Sequence, residues 1–220
     1  MLGGWLNAVL DILFPPRCPA CRQWVGIHGA WCARCFGELM SVRQIPLAEH
    51  RLKYLDECLV LSDYTGPLQR LIRDMKFRSL KQHAPSLTYV VEQGMKERSG
   101  GMQARSVIPV PLSRQRLKER GFNQTEAIFK PWAAKQGLNW LDGLERIRLT
   151  APQWELNLTE RRKNIKGAFR VTRPEDVKGH CILLVDDIFT TGITLDECAK
   201  VLKQAGAVKV KALTLASGAR

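Results

Sequence analysis

Two adjacent carboxylates, Asp186 and Asp187, stand just ahead of a hydroxyl-rich bend made of Thr190, Thr191, Gly192 and Thr194. Paired carboxylates can accept hydrogen bonds from the vicinal hydroxyls of a ribose, and they can hold Mg²⁺ directly or through water. A bend that leads into a helix offers unpaired backbone N–H groups and the positive end of the helix dipole, which together suit a phosphate monoester. Gly192 lets the backbone approach that phosphate, and the threonine hydroxyls add donors. The ligand this chemistry predicts is a sugar phosphate with free 2′ and 3′ hydroxyls.

A second group of residues is suited to a metal. Cys18 and Cys21 form one Cys-x-x-Cys knuckle and Cys32 and Cys35 another, separated by residues 22–31. Four thiolates on two knuckles can converge tetrahedrally on Zn²⁺, and a closed four-thiolate site is structural rather than catalytic. Zinc binding worth roughly 10–16 kcal/mol at neutral pH can fold a unit this small without a core of its own. His28 lies between the knuckles and reads as a loop residue. Cys58, Cys181 and Cys198 are scattered, and the last two fall on expected core faces as buried thiols.

A third group is cationic. Pro111, Leu112, Ser113 and Arg114 form a turn that runs into Arg116, Lys118, Arg120, Gly121, Asn123 and Gln124. Such a turn can hold a diphosphate, with backbone N–H groups below and guanidinium forks above. A solvated basic helix face is the alternative. Residues 150–170 include Thr150, Gln153, Asn157, Arg161, Arg162, Asn164 and Lys166. That composition fits a lid that closes over a charged substrate, and it equally fits an exposed basic connector.

These groups need elements to position them. Residues 181–185 are an unbroken run of mostly branched apolar residues, read as a strand buried on both faces of a parallel sheet. Thr194 and Glu197 have capping-box spacing. Leu195, Cys198, Ala199, Leu202 and Ala205 recur on one helical face, and Gly206 occupies a left-handed terminating position. The acids are therefore expected beyond a strand's carboxyl end, where open α/β sheets bind ligands. A receiver-type domain also ends a strand with two aspartates, but there that strand opens the domain, whereas here little chain follows.

Upstream, residues 57–64 read as a strand. A helix follows from Gly66-Pro67 to about Arg78, with Leu68, Leu71, Ile72 and Met75 inward, and a second helix spans about 80–98. Ser99-Gly100-Gly101 is a candidate linker. Residues 104–110 read as a strand, 123–135 as a helix, 143–149 as a strand, 160–163 as helical and 168–171 as a short strand. The alternation predicts an α/β fold: a mainly parallel sheet with flanking helices, plus a small N-terminal four-cysteine zinc knuckle. The expected division places an N-terminal helix and zinc-knuckle module at residues 1–56 and the α/β domain at residues 57–220. Trp5, Leu6, Val9, Leu10, Leu13 and Phe14 form an amphipathic stretch stopped by Pro15 and Pro16. It packs on the protein; the alternative is that it lies on a membrane surface.

Composition bounds the rest. With 220 residues and 45% hydrophobic content the chain can bury a sizeable core. A net charge of +13 predicts attraction to polyanions, whether nucleic acid, diphosphate-bearing substrates or an anionic membrane surface. Seven cysteines without a secretory signal favour cytosolic metal-type use over a disulfide framework. The apolar N-terminal stretch is too short to cross a bilayer.

Taken together, the strand, acid pair and Thr-Thr-Gly-x-Thr bend of residues 181–194 resemble the ribose-5-phosphate signature of type I phosphoribosyltransferases. The wider order of pieces is similar to the ComF family of late-competence proteins. It runs from the four-cysteine knuckle through Val-Pro-Leu-Ser with Arg-Gly-Phe-Asn-Gln, then Gln153 with Arg161 and Asn164, then Gly-Ala-Phe at 167–169, to Val-Asp-Asp-Ile-Phe-Thr-Thr-Gly. The resemblance implies binding of phosphoribosyl diphosphate with Mg²⁺ and a role in natural transformation or DNA uptake, or in nucleotide salvage. Asp186 and Asp187 would hold the ribose hydroxyls and organise the magnesium. Thr190, Thr191, Gly192 and Thr194 would hold the 5-phosphate, and Pro111, Leu112, Ser113 and Arg114 the diphosphate. Arg120, Asn123, Gln124, Arg161 and Asn164 match family positions without an assigned role. It also implies single-stranded DNA and competence helicase machinery as partners, in the cytoplasm. The rival to phosphoribosyl transfer is a non-catalytic nucleotide-sensing module that binds single-stranded DNA, with Trp132, Trp140 or Trp154 stacking bases; Trp132 reads rather as core. The sequence sets no oligomeric state.

Overall fold

The computed structural model of the chain describes residues 14–96, 104–148 and 158–218. Its sheet is built around the apolar run already singled out, which forms strand β7 (Cys181–Phe189). In chain order the other elements are α1 (Ala33–Leu39), β1 (Met40–Gln44), β2 (Glu57–Asp63), α2 (Gly66–Phe77), α3 (Ala84–Met95), β3 (Ser106–Pro109), α4 (Arg114–Arg120) and α5 (Gln124–Lys135). There follow β4 (Asn139–Trp140), β5 (Leu144–Arg146), α6 (Leu158–Ile165), β6 (Phe169–Val171), α7 (Ile193–Gln204) and β8 (Lys209–Ser217). Six strands pair in the order β1-β2-β8-β7-β3-β4, all parallel except the β1 edge. β5 and β6 make a separate antiparallel pair.

Both faces of the central strands are covered, which is why they read as continuous apolar runs rather than alternating ones. Successive side chains point to opposite faces. On one face Leu183 and Val185 of β7 meet Leu68, Leu71, Ile72 and Met75 of α2, Leu87, Val90 and Val91 of α3, and Ile128, Phe129 and Trp132 of α5. On the other, Ile182 and Leu184 meet Leu195, Cys198, Ala199 and Leu202 of α7 together with Phe169 of β6. The inward residues expected on α2 are all buried, as are Leu195, Cys198, Ala199 and Leu202 of α7; Ala205 lies just past the end of α7 and is partly buried.

Several local expectations shift. β7 does not stop at Val185: β8 is long enough to pair Asp186 with Thr214, Ile188 with Ala216 and Phe189 with Ser217, so the acids sit inside the strand. Gly192, in the left-handed conformation at φ 73°, caps α7, so Thr194 lies in its first turn and makes no capping box with Glu197. The Glu197 carboxylate instead accepts from the Gly167 N–H at 2.8 Å. The turn expected at 111–114 ends at Ser113, whose hydroxyl accepts from the Arg116 N–H, and residues 114–120 form the short helix α4. The strand expected at 143–149 contracts to β5 and leaves the main sheet for β6. Gly206 is left-handed as expected.

The four-cysteine unit leans on the main body. Cys18, Val25, Ala30, Trp31 and Cys35 belong to the same apolar cluster as α2 and α3. The Trp31 Nε1–H donates to the Ser86 carbonyl at 2.9 Å, and residues 40–44 form the sheet edge. Most of the amphipathic N-terminal stretch, the Ser99-Gly100-Gly101 linker, and Thr150, Gln153, Trp154 and Asn157 lie outside the described residues. Among the described residues, no helix is long and apolar enough to cross a membrane.

Candidate functional site

β3 and β7 run parallel, so their carboxyl ends open on the same edge of the sheet. A cavity of about 610 Å³ lies there, within the usual size for a small-molecule site. Its lining includes Pro111, Leu112, Arg120, Gln124, Arg161, Asp186, Asp187, Thr190, Thr191, Gly192 and Thr194, so the structure gathers eleven of the fifteen expected ligand-site residues. The other four serve the scaffold or face elsewhere. Ser113 caps α4. Asn123 caps α5, its side-chain oxygen accepting from the Thr125 N–H at 3.0 Å. Arg114 is turned to solvent and pairs with Glu145 at 2.6 Å. Asn164 is off the cavity lining, and its carbonyl accepts from Arg148 at 2.8 Å.

The two acids have different surroundings. Asp187 is 2% exposed; its Oδ1 accepts from the Lys76 ammonium at 2.8 Å. Its Oδ2 is buried without a hydrogen-bond partner among the described residues. Asp186 Oδ1 accepts from the Asp187 N–H at 2.9 Å and from the Thr125 hydroxyl at 3.3 Å. Burial, then the neighbouring Asp187 carboxylate, push the Asp186 carboxyl up to about 7, with Lys76 opposing. Burial and the same Asp187 charge raise the Tyr64 phenol. Burial lowers the basicity of Arg120 and Arg146, and the nearby Arg116 charge lowers both further. A cluster of partly desolvated cations beside a carboxylate pair is a site poised for a polyanion.

Lys76, Arg116, Arg146 and Tyr64 also line the cavity. Arg116 was visible in the sequence as part of the basic cluster. Lys76 was visible only as the polar end of an amphipathic helix. The Arg120 Nε–H donates to its carbonyl at 3.1 Å, and a second guanidinium N–H of Arg120 donates to Gln124, which ties α2, α4 and α5 together at the site. Nothing local marked Arg146 or Tyr64. Of the tryptophans considered for stacking bases, Trp132 is buried in the core, and Trp140 packs against the same cluster with Lys130 over its ring.

The four cysteine sulfurs lie within 4.8 Å of one another, with Cys21 and Cys32 at 3.7 Å. Zn–S bonds of about 2.3 Å in a tetrahedron set sulfur–sulfur edges near about 3.8 Å, so the set fits a structural zinc. None of the four lines the cavity.

Residues 9–47 match the double zinc ribbon domain and residues 146–220 the phosphoribosyl transferase domain. The chain is 34% identical over 198 residues to the "DNA utilization protein YhgH" of Salmonella typhi, covering 88% of this chain and 81% of that protein. It is 27% identical over 227 residues to the "Competence protein F" of Haemophilus influenzae, covering 91% and 96%. With the "Competence protein ComFC" of Streptococcus pneumoniae the identity is 37% over 111 residues, 49% of this chain and 46% of that one.

Proposed function

Because this chain belongs to the ComF family of phosphoribosyltransferase-type proteins, we propose that its cavity binds phosphoribosyl diphosphate and transfers the phosphoribosyl group to a nucleophilic acceptor. One observation carries the reading. A carboxylate pair, a glycine bend ahead of a helix, and Arg116, Arg120, Arg146 and Arg161 meet in one cavity.

In this reading the 5-phosphate sits on the backbone and hydroxyls of Thr190, Thr191, Gly192 and Thr194, at the positive end of α7. Asp186 and Asp187 accept from the ribose hydroxyls. The arginines receive the diphosphate as it departs with the electron pair of the C1–O bond, while the acceptor forms the new bond to C1. Positive charge growing on the sugar is stabilised by the carboxylates, and negative charge growing on the leaving group by the guanidinium groups; both are fixed before reaction. Asp186 would hold Mg²⁺, since the Lys76 ammonium already engages Asp187, and the ion would supply neutralising charge to the diphosphate.

The names of the relatives connect their family with competence and DNA use, and we extend that role to this chain, in the cytoplasm. Residues 1–56 act as the zinc-bearing module and residues 57–220 as the phosphoribosyltransferase-like domain.

Titration calorimetry with phosphoribosyl diphosphate and Mg²⁺ tests binding, and diphosphate release with a panel of acceptors tests transfer. Wild-type protein binds, whereas the folded double variant Asp186→Asn, Asp187→Asn does not. Equal titration of both proteins would sink the reading.

A further inference from the structure

Lys76 lies 111 residues from Asp187 in the chain, yet its Nζ reaches Oδ1 at 2.8 Å. The lysine side chain is 21% exposed and the aspartate side chain 3%. An ion pair this far out of water is not a solvated surface contact. Both residues line the cavity. The pair satisfies one carboxylate oxygen and leaves the other, Oδ2, buried without a hydrogen bond among the described residues. A desolvated carboxylate oxygen is costly to leave unpaired, so a donor supplied by a ligand gains more there than at a solvated acceptor.

Lys76 itself is held in place. Its backbone carbonyl accepts from the Arg120 Nε–H at 3.1 Å, and its neighbour Met75 is fully buried in the core. The ammonium thus comes from a fixed helix end. It constrains the Asp187 carboxylate through a single oxygen, as a compact point charge does, whereas a planar guanidinium fork is shaped to take both oxygens at once.

We infer that Lys76 is a positioning residue that sets specificity for the sugar: it pins Asp187 by Oδ1 so that Oδ2 is presented as a fixed acceptor for one ribose hydroxyl. The inference rests on the proposed sugar-phosphate reading of the cavity and deepens it, since the discrimination between ribose and deoxyribose phosphates is assigned to a residue outside the acid-pair signature. A site built to hydrogen-bond a hydroxyl rejects the analogue that lacks it, because its own buried group is then left unpaired.

The test measures dissociation constants for ribose 5-phosphate and its 2-deoxy and 3-deoxy analogues. Wild-type protein weakens by about 10-fold or more for the analogue that lacks the hydroxyl facing Asp187. In Lys76→Met the carboxylate is released to rotate and admit water, and that ratio falls to within about threefold. Lys76→Arg keeps the charge and the ion pair, but its fork can take both carboxylate oxygens, so the ratio falls there too while the melting temperature is retained. A purely structural ion pair predicts the opposite, because arginine would rescue it and the ratio would stay at its wild-type value. Wild-type discrimination in Lys76→Arg therefore overturns the inference and leaves the sugar-phosphate reading standing. Failure of wild-type protein to bind ribose 5-phosphate overturns both.

Discussion

Replacing Gly192 with alanine tests the geometry of the bend directly. Gly192 has φ 73°, and a Cβ added there would lie 2.5 Å from Leu52 Cδ1, 2.7 Å from Phe189 Cε2 and 3.0 Å from Phe189 Cζ. The left-handed conformation alone costs a non-glycine residue about 1–2 kcal/mol. The crowding adds about 1–3 kcal/mol of overpacking, because Leu52 must turn its terminal methyl aside and the Phe189 ring has little room to move. Phe189 is 1% exposed and stacks edge-on against His50. The loop that carries Leu52 is pinned where Asp196 Oδ1 accepts from the Lys53 and Tyr54 N–H groups at 2.9 and 2.8 Å. Gly137 isolates the conformational part: it has φ 65° and open space where its Cβ would go. Gly137→Ala should therefore cost about 1–2 kcal/mol and Gly192→Ala about 2–5 kcal/mol. At about 2–4 °C per kcal/mol for a chain of this size, Gly192→Ala melts about 2–12 °C below Gly137→Ala. Thermal denaturation by circular dichroism, with ribose 5-phosphate titrated into each variant, measures both effects. Affinity is lost in Gly192→Ala and retained in Gly137→Ala. Coincident melting curves for the two variants would refute the close packing at the bend.

Three further outcomes follow from the packing of the site and the zinc unit. The Asp186 carboxyl, raised to about 7, holds a proton in the folded state that the unfolded chain has lost above about pH 4. Its contribution to stability is thus full at low pH and is lost as pH rises from about 4 to about 7. Urea denaturation should show Asp186→Asn gaining on wild type by up to about 1.4 kcal/mol per pH unit over that range, then levelling above it; a difference that does not change with pH contradicts the shift. Removing zinc with a chelator should lower the single calorimetric transition of the whole chain, because Cys18, Cys35 and Trp31 share an apolar cluster with α2 and α3; an unchanged main transition would show that the zinc unit folds apart. Trp31→Phe should cost about 1–3 kcal/mol by leaving the Ser86 carbonyl without its 2.9 Å donor, and denaturant titration checks it.

Much of this protein could be read from short windows of its sequence. Cys-x-x-Cys spacing specifies a metal unit because ligand convergence needs only a few residues of turn. The apolar run, acids, glycine bend and helix of residues 181–204 are also local: strand burial, left-handed backbone and helical periodicity each show within one element. The structure departs from the local pattern where a neighbour from far along the chain intervenes. β7 extends past Val185 because β8 supplies partners up to Ser217, and Glu197 gives up its expected cap for the Gly167 N–H.

What the two acids can do was decided only by tertiary packing. In sequence they are one pair. In the fold Asp187 is buried against Lys76 from α2, while Asp186 accepts from Thr125 of α5. Arg146 joins them from a strand pair outside the main sheet. Local sequence encodes backbone conformation and which face of an element is apolar, because those depend on residues a few positions apart. The partner of a buried charge depends on which distant elements pack at one edge of the sheet, and no local periodicity carries that information.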